Sequence, residues 1–394
     1  MASYPQRPWL VLTGLALGVC VTNGFARFAY GLVLPAMQQE LDWTYAEAGW
    51  LNTANALGYI AGAILTMSLI GRMHLSRLFN FGLIATAVSL FATGLYEALW
   101  WQSLWRILAG LFGAMSFSTA GALAAGLFAD NPKRNALAIA LLFGFGGGLG
   151  IVLSGASVPL MIDWLGTHAW PYAWIVIGTA SFAMIPLSIW SARQLNPASQ
   201  ALNLTPQIPV RSMSGLILGY AGFGLGYIVY FTFLSAWMTL QGFGAGLIAL
   251  VWVLLGICLC LSPFVWRPVF ARFASGLPLA LILIGIALGS ALPVILPNTL
   301  GIVSSAIIFG TCVFMSPGAV TNFIRRNLPA PSWGAAISYC TVVFAVSQTI
   351  GPYAAGWIAD RTGSLNASLI TASGILLVGA AFAILQRPLG DSET

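Results

Sequence analysis

Charge is what this chain lacks. Of its 394 residues only 15 are Lys or Arg and 9 are Asp or Glu, 6% in all, against roughly a quarter in average soluble proteins. A water-soluble domain of this length has a large surface to cover with polar groups, and these residues are too few to do it. The scarcity argues against a cytosolic globular enzyme, a disordered chain and a nucleic-acid binder. Histidine is scarcer still: His74 and His168 are the only two, both in segments that read as loops. The five cysteines, Cys20, Cys258, Cys260, Cys312 and Cys340, fall in apolar runs and make no metal-spaced cluster with them. No metal site and no cofactor is expected, and cysteine serves as a small packing residue.

Apolar length is what the chain has. Hydrophobic residues make up 59% and the mean hydropathy is +0.90. A membrane-crossing helix needs about 20 mainly apolar residues. No charge falls between Arg211 and Arg267 or between Arg272 and Arg325. Each gap is long enough for two helices, split by turn residues near 241–246 and 293–298. Read this way, the chain holds twelve spans, at 10–37, 44–70, 78–96, 99–128, 135–160, 170–190, 213–239, 246–266, 277–295, 299–323, 334–358 and 367–386. The runs are too long and too uniform for the alternating strands of a membrane barrel. The first is longer than a signal-peptide core and is not followed by a small-residue cleavage site. Thr44-Tyr45-Ala46-Glu47 fits a capping box at the start of the second span, which makes Glu47 a cap rather than a proton carrier. The expected fold class is an all-α polytopic membrane protein of twelve transmembrane helices.

The few charges then sort by side. Arg7, Arg72, Arg77, Lys133, Arg134, Arg193, Arg211, Arg267, Arg272, Arg325, Arg326 and Arg387 fall on one face, and Arg361 alone on the other, with Glu40, Asp42, Glu47, Glu97, Asp163 and Asp360. The positive-inside rule places the basic face and both termini in the cytoplasm. The net charge of +6 is explained by topology in the lipid bilayer, without a nucleic acid or a specific lipid.

The chain is also duplicated. A shift of about 200 residues brings Gly24 onto Gly224, Tyr30 onto Tyr230, Gly110 onto Gly310 and Met115-Ser116 onto Met315-Ser316. With one more residue of shift, Gly150-x4-Gly155 meets Gly351-x4-Gly356. The expected division is a six-helix half at 1–190, a cytoplasmic linker at 191–212 containing Asn196-Pro197, Pro206 and Pro209, and a second six-helix half at 213–394. Six plus six spans joined in this way resemble the layout of major facilitator transporters. The run from Asn23 to Gly31, Asn-Gly-Phe-Ala-Arg-Phe-Ala-Tyr-Gly, resembles the GxxRFxYG signature of the YbfB/YjiJ-type branch of that superfamily, and Ala48 to Tyr59 looks like the same branch in helix 2. Arg106-x3-Gly110 resembles the arginine motif of helix 4. The loop Gly71 to Arg77 matches the family's basic gating loop only loosely and lacks its aspartate. The Gly-Pro step associated with drug/proton antiporters is missing from the glycine run Gly144 to Gly150, although Gly351-Pro352 has it. The resemblance implies the major facilitator fold, transport by alternating access and no enzymatic activity.

The candidate site follows from the residues that should not be in a membrane. An arginine inside a span marks function by default; Arg27 lies near the middle of helix 1 and Arg106 about two turns into helix 4. On α-helical geometry Asn23, Arg27 and Tyr30 share a face of helix 1, as do Asn52, Asn55 and Tyr59 on helix 2. Arg106 reads equally as a tie to neighbouring carbonyls, and Asn52 and Asn55 equally as interhelical glue. In the second half Tyr227 and Tyr230 need hydrogen-bond partners, Phe223 reads as packing, and Gln348 is a further candidate. No span interior contains Asp or Glu. A buried guanidinium without a carboxylate partner favours an anion.

The expected function is secondary active transport of a small organic anion, with an aromatic or amphipathic carboxylate in view. Arg27, Asn23, Tyr30, Asn52, Asn55, Tyr59, Arg106, Tyr227, Tyr230 and Gln348 would line the site. Proton coupling would ride on the cargo's own carboxyl or on peripheral Glu97 or Asp163, and the protein is expected to act as a monomer. The alternative on the same fold is an exporter of neutral or amphipathic compounds.

Overall fold

The computed structural model describes residues 7–70, 72–128, 131–195 and 208–390. Asn196-Pro197 and Pro206 of the expected linker, and Gly71 of the gating-like loop, lie outside the described residues. The chain forms twelve long helical elements with no strand among the described residues. Helix α1 is assembled from Pro8–Val19, a π-helical stretch Cys20–Phe28 and Tyr30–Leu41. There follow α2 (Tyr45–Leu69), α3 (Leu75–Thr93), α4 (Leu99–Ala125), α5 (Pro132–Leu165) and α6 (Trp170–Arg193). The second half holds α7 (Ser214–Leu240), α8 (Ala245–Arg272), α9 (Leu277–Ile295), α10 (Thr299–Val313, resuming as Ser316–Asn327), α11 (Trp333–Thr362) and α12 (Leu365–Leu385).

Local chemistry sets these boundaries. Thr44 and Glu47 form the capping box in full, each side chain taking the other's backbone N–H. Asn131 and Asn298 cap α5 and α10 through their side-chain oxygens. Asp42 and Gly363, at φ 51° and 66°, end α1 and α11 in the left-handed conformation. The two Met-Ser repeats behave differently for a covalent reason. Ser116 is followed by Phe117 and α4 runs through it, whereas Ser316 is followed by Pro317, which has no N–H for the carbonyl of Val313, where α10 breaks.

Eleven of these helices are long and apolar enough to cross a membrane. The twelfth, α2, has the length but not the apolarity, because Asn52, Thr53 and Asn55 sit together in its middle. Ends also differ from the sequence reading: α1 spans Pro8–Leu41 where 10–37 is expected, and α5 spans Pro132–Leu165 where 135–160 is expected.

Small residues decide how the helices approach, as expected where lipid offers no hydrophobic drive. In the first half the π-helical stretch of α1 lies on α5 backbone to backbone; a Cβ on Gly24 would stand 2.6 Å from the Cα of Gly150. The repeat is visible in contact pairs: Gly110 packs on the carbonyl of Asn55, and Gly310 on that of Leu255, 200 residues on. Between the halves α5 meets α8, with Gly148 against the carbonyl of Gly256 and Gly155 against Trp252. Gly31 of α1 abuts the carbonyl of Phe231 in α7, and α2 meets α11 through Gly49 on Pro352 and Gly356 on Tyr45.

The α1–α7 and α2–α11 contacts lie from mid-bundle to the end opposite the chain termini, called the far end below. There Asp360 of α11 reaches across to the start of α2 and accepts from the N–H groups of Tyr45 (2.9 Å) and Ala46 (2.8 Å). This is a carboxylate on a helix N-terminus, a favourable charge–dipole pair, and it joins the two halves. Toward the terminal end, Gly58 and Gly62 of α2 pack instead on α4 of their own half.

Two predictions follow from the packing. Gly24→Leu forces apart α1 and α5 and is expected to lower unfolding stability by about 1–3 kcal/mol, read by reversible denaturant titration in detergent. Asp360→Ala removes the far-end tie. Spin labels at Gln39→Cys and Gln241→Cys, both exposed at that end, should show a longer, broader distance distribution than in the Asp360 protein.

Candidate functional site

The two membrane arginines are satisfied in opposite ways. Arg106 is 1% exposed. Its Nη1 donates to the Ala26 carbonyl (2.7 Å), its Nη2 to Asn52 Oδ1 (3.0 Å) and its Nε to the Leu51 carbonyl (3.5 Å). The guanidinium also lies over the rings of Tyr30 (4.9 Å) and Trp174 (5.7 Å). All these partners belong to the first half. Around them, Asn55 Nδ2 donates to the Arg106 carbonyl (3.1 Å) and the Tyr30 hydroxyl donates to the Ala48 carbonyl (2.7 Å). Arg106, Tyr30 and Asn55 thus form a tie among α1, α2 and α4. Asn52 continues it across the seam, donating to Thr232 Oγ1 of α7 (2.6 Å), and Thr53 donates to the Thr349 carbonyl of α11 (2.7 Å).

Arg27 reaches out of its half. Its Nη2 donates to the Tyr227 hydroxyl (2.9 Å) and to Gln348 Oε1, and the Tyr227 hydroxyl donates to the same Oε1 (3.0 Å). The guanidinium lies over the Tyr59 ring at 4.8 Å and the Phe28 ring at 5.8 Å. None of its partners is a carboxylate. Arg27 and Tyr227 are 200 residues apart, the period of the duplication, so each is the other's equivalent. Two residues exchanged by a twofold can touch only where the axis passes. Arg27 therefore sits on the pseudo-twofold axis, between the halves.

The surroundings are aromatic. Tyr220, Phe223, Tyr227 and Phe344 stack on one another, with Phe223 and Tyr227 centroids 4.4 Å apart and 18° between planes. Phe28 packs on Phe231 at 4.5 Å and on Phe314 at 5.4 Å. Arg27, Tyr59, Phe314 and Phe344 keep partial exposure while Tyr30, Phe231 and Phe233, on the far-end side of them, are buried. The partly exposed members of the group thus lie toward the terminal end. Asn23 makes no hydrogen bond to the described residues and lies beside Gly147 and near Phe314.

The structure brings together Arg27, Tyr59, Tyr227 and Gln348, with Asn23 alongside. It places Tyr30, Asn52, Asn55 and Arg106 in the tie described above. Tyr230 turns to the far side of α7, where its hydroxyl shares a hydrogen bond with Ser305 (2.7 Å) and its ring stacks on Phe309 at 4.0 Å. The expected common face of Asn23, Arg27 and Tyr30 is not kept, because the π-helical turn from Cys20 to Phe28 is wider and shifts later residues around the axis. The sequence does not single out Phe28, Phe314, Phe344 and Thr232; as apolar or back-bonding residues inside apolar runs, they carry no signal that separates lining from packing.

The family described as "Uncharacterised MFS-type transporter YbfB" matches residues 19–384. The chain belongs to this major facilitator family. As a transporter of that family it also shares 26% identity over 158 residues with a "Putative metabolite transport protein" of Haemophilus influenzae, a match covering 40% of this chain and 38% of the relative. The chain therefore aligns with well under half the length of that relative. Among solved structures, a bacterial homolog of the human lysosomal transporter Spinster, inward-facing and occupied, superposes with a TM-score of 0.73 at 17% identity over 97% of both chains. The nucleoside transporter NupG gives 0.67 at 11% identity, again over 97% of both. At such identities the likeness shows the fold alone. Family and neighbours are transporters and not enzymes.

Arg106→Gln removes the donors that serve the carbonyls of Ala26 and Leu51. It is expected to cost about 2–4 kcal/mol of unfolding stability, measured by the same titration; a loss below about 0.5 kcal/mol would contradict the tie.

Proposed function

We propose that this transporter moves a small organic anion across a bacterial inner membrane by alternating access, as a monomer with both termini in the cytoplasm. Its halves are 1–190 and 213–394, joined by a cytoplasmic linker at 191–212. The observation that carries the reading is Arg27: a partly exposed cation on the pseudo-twofold axis, donating only to neutral acceptors. The bonds Arg27 makes to Tyr227 and Gln348 are charge-assisted from the donor side alone; a carboxylate adds the opposite charge and can take the guanidinium through two parallel N–H···O bonds. A carboxylate arriving at Arg27 outcompetes the phenol and the amide.

Mechanism follows from which half each group belongs to. Arg27 of the first half ties directly to Tyr227 and Gln348 of the second. A bound anion takes the guanidinium and releases both, so the direct tie between halves gives way to one that runs through the cargo. The Asp360 contact at the far end then holds or parts as the halves rock. Glu97 and Asp163 are exposed and stand outside the site, so proton coupling is assigned to the cargo's own carboxyl.

Purified protein titrated with small carboxylates tests the reading. Arg27→Ala should weaken binding about 10- to 100-fold, the worth of a charge-assisted hydrogen bond, and Arg27→Lys should recover part of it. Unchanged affinity in both variants overturns the assignment; tight binding of neutral amphipathic compounds indifferent to Arg27 would support the efflux alternative.

A further inference from the structure

Arg27 imposes a constraint on Gln348. The side-chain oxygen Oε1 accepts from both the Arg27 guanidinium and the Tyr227 hydroxyl. The amide cannot be turned over, because a guanidinium offers no acceptor for an NH2 group. The nitrogen Nε2 is therefore the atom left over. It is buried and has no hydrogen-bond partner among the described residues, on a side chain 1% exposed. An N–H stranded in this way is unfavourable, so a fold that keeps it beside the axial cation gains when something else accepts from it.

The donors near the axis accumulate without a matching acceptor of opposite charge. Arg27 directs only Nη2 at described residues, leaving Nε and Nη1 without such partners. Gln348 adds its Nε2. No Asp or Glu lies in any span interior around them, and the Gln348 oxygen already serves two donors. A ligand head that only accepts fits this set. One that also carries an ammonium group would bring a second cation next to Arg27 with no carboxylate to meet it, which is strongly unfavourable.

We infer that the site selects carboxylates without an ammonium group beside the carboxylate, with Gln348 Nε2 holding one carboxylate oxygen while Arg27 holds the other. This rests on the anion reading of Arg27. The partly exposed rings of Tyr59, Phe314 and Phe344 receive a planar apolar body, so the class is an aryl-substituted monocarboxylate rather than an amino acid. Gln348 is the specificity residue, since it presents a donor where a carboxylate side chain would present an acceptor.

The test compares 3-phenylpropanoate with phenylalanine, the same skeleton with and without the ammonium, by calorimetric titration of the full chain in detergent. Wild type should bind 3-phenylpropanoate at least about tenfold more tightly than phenylalanine. Gln348→Glu supplies an acceptor for the ammonium and competes for Arg27, so the preference should fall to parity or reverse. Equal affinities in wild type, no binding of 3-phenylpropanoate, or a ratio unchanged in folded Gln348→Glu overturns the inference. The wild-type ratio is read whether or not the variant folds. Arg27→Ala separates the two readings: if it leaves 3-phenylpropanoate binding intact, the anion reading itself fails. If it abolishes binding while Gln348→Glu keeps the ratio, only the present inference fails.

Discussion

A guanidinium cannot stay bare inside a helical bundle, and the middle of this protein is arranged around two of them. Arg106 is held by carbonyls and an amide oxygen of its own half, under the rings of Tyr30 and Trp174. That arrangement fixes α1, α2 and α4 as one unit and orients Asn52, whose amide passes the connection to Thr232. Arg27 has no such cage. Its hydrogen bonds all go to the opposite half, which makes a partly buried cation a link between the two. One arginine makes a half rigid; the other makes the halves aware of each other.

Glycine sets what those halves can do. Within the first half, the Gly24–Gly150 contact leaves no side chain between α1 and α5, so the pair packs as one unit. Across the seam, Gly31 on Phe231 and Gly49 on Pro352 bring backbones together on the far-end side, where Asp360 adds its two hydrogen bonds. Such contacts are smooth and short-ranged. They leave no side chains to disentangle, which suits the rocking proposed for the halves.

Much of the architecture was legible in composition. Charge-free runs, turn residues and the Thr44–Glu47 box marked the helices, and the 200-residue period marked the halves. The span at 44–70 is legible although α2 falls short in apolarity, because the residues that make it polar, Asn52, Thr53 and Asn55, are the ones that hold the seam and the Arg106 tie. The site was legible as a set of residue types but not as a geometry. Asn23, Arg27 and Tyr30 looked coplanar because α-helical spacing was assumed, and no propensity in Cys20–Phe28 announces a π-helix. The partnership of Arg27 with Gln348 spans 321 positions and has no local trace. Tyr227 and Tyr230, three apart on one helix, look alike in sequence, yet one meets the axis and the other a serine of α10.

The meeting of residues 27 and 227 bears on how a doubled chain departs from its own symmetry. In a gene freshly duplicated, whatever stands on the axis faces a copy of itself. A tyrosine or a glycine tolerates that; an arginine does not, since two guanidiniums at 2.9 Å would repel and neither could accept a hydrogen from the other. A cation can occupy the axis only after one copy has given it up. The contrast between Arg27 and Tyr227 is then no accident of drift. It is the condition for having a charge there at all, and it makes the two halves of the molecule unequal at the one point where symmetry would have required them to be the same.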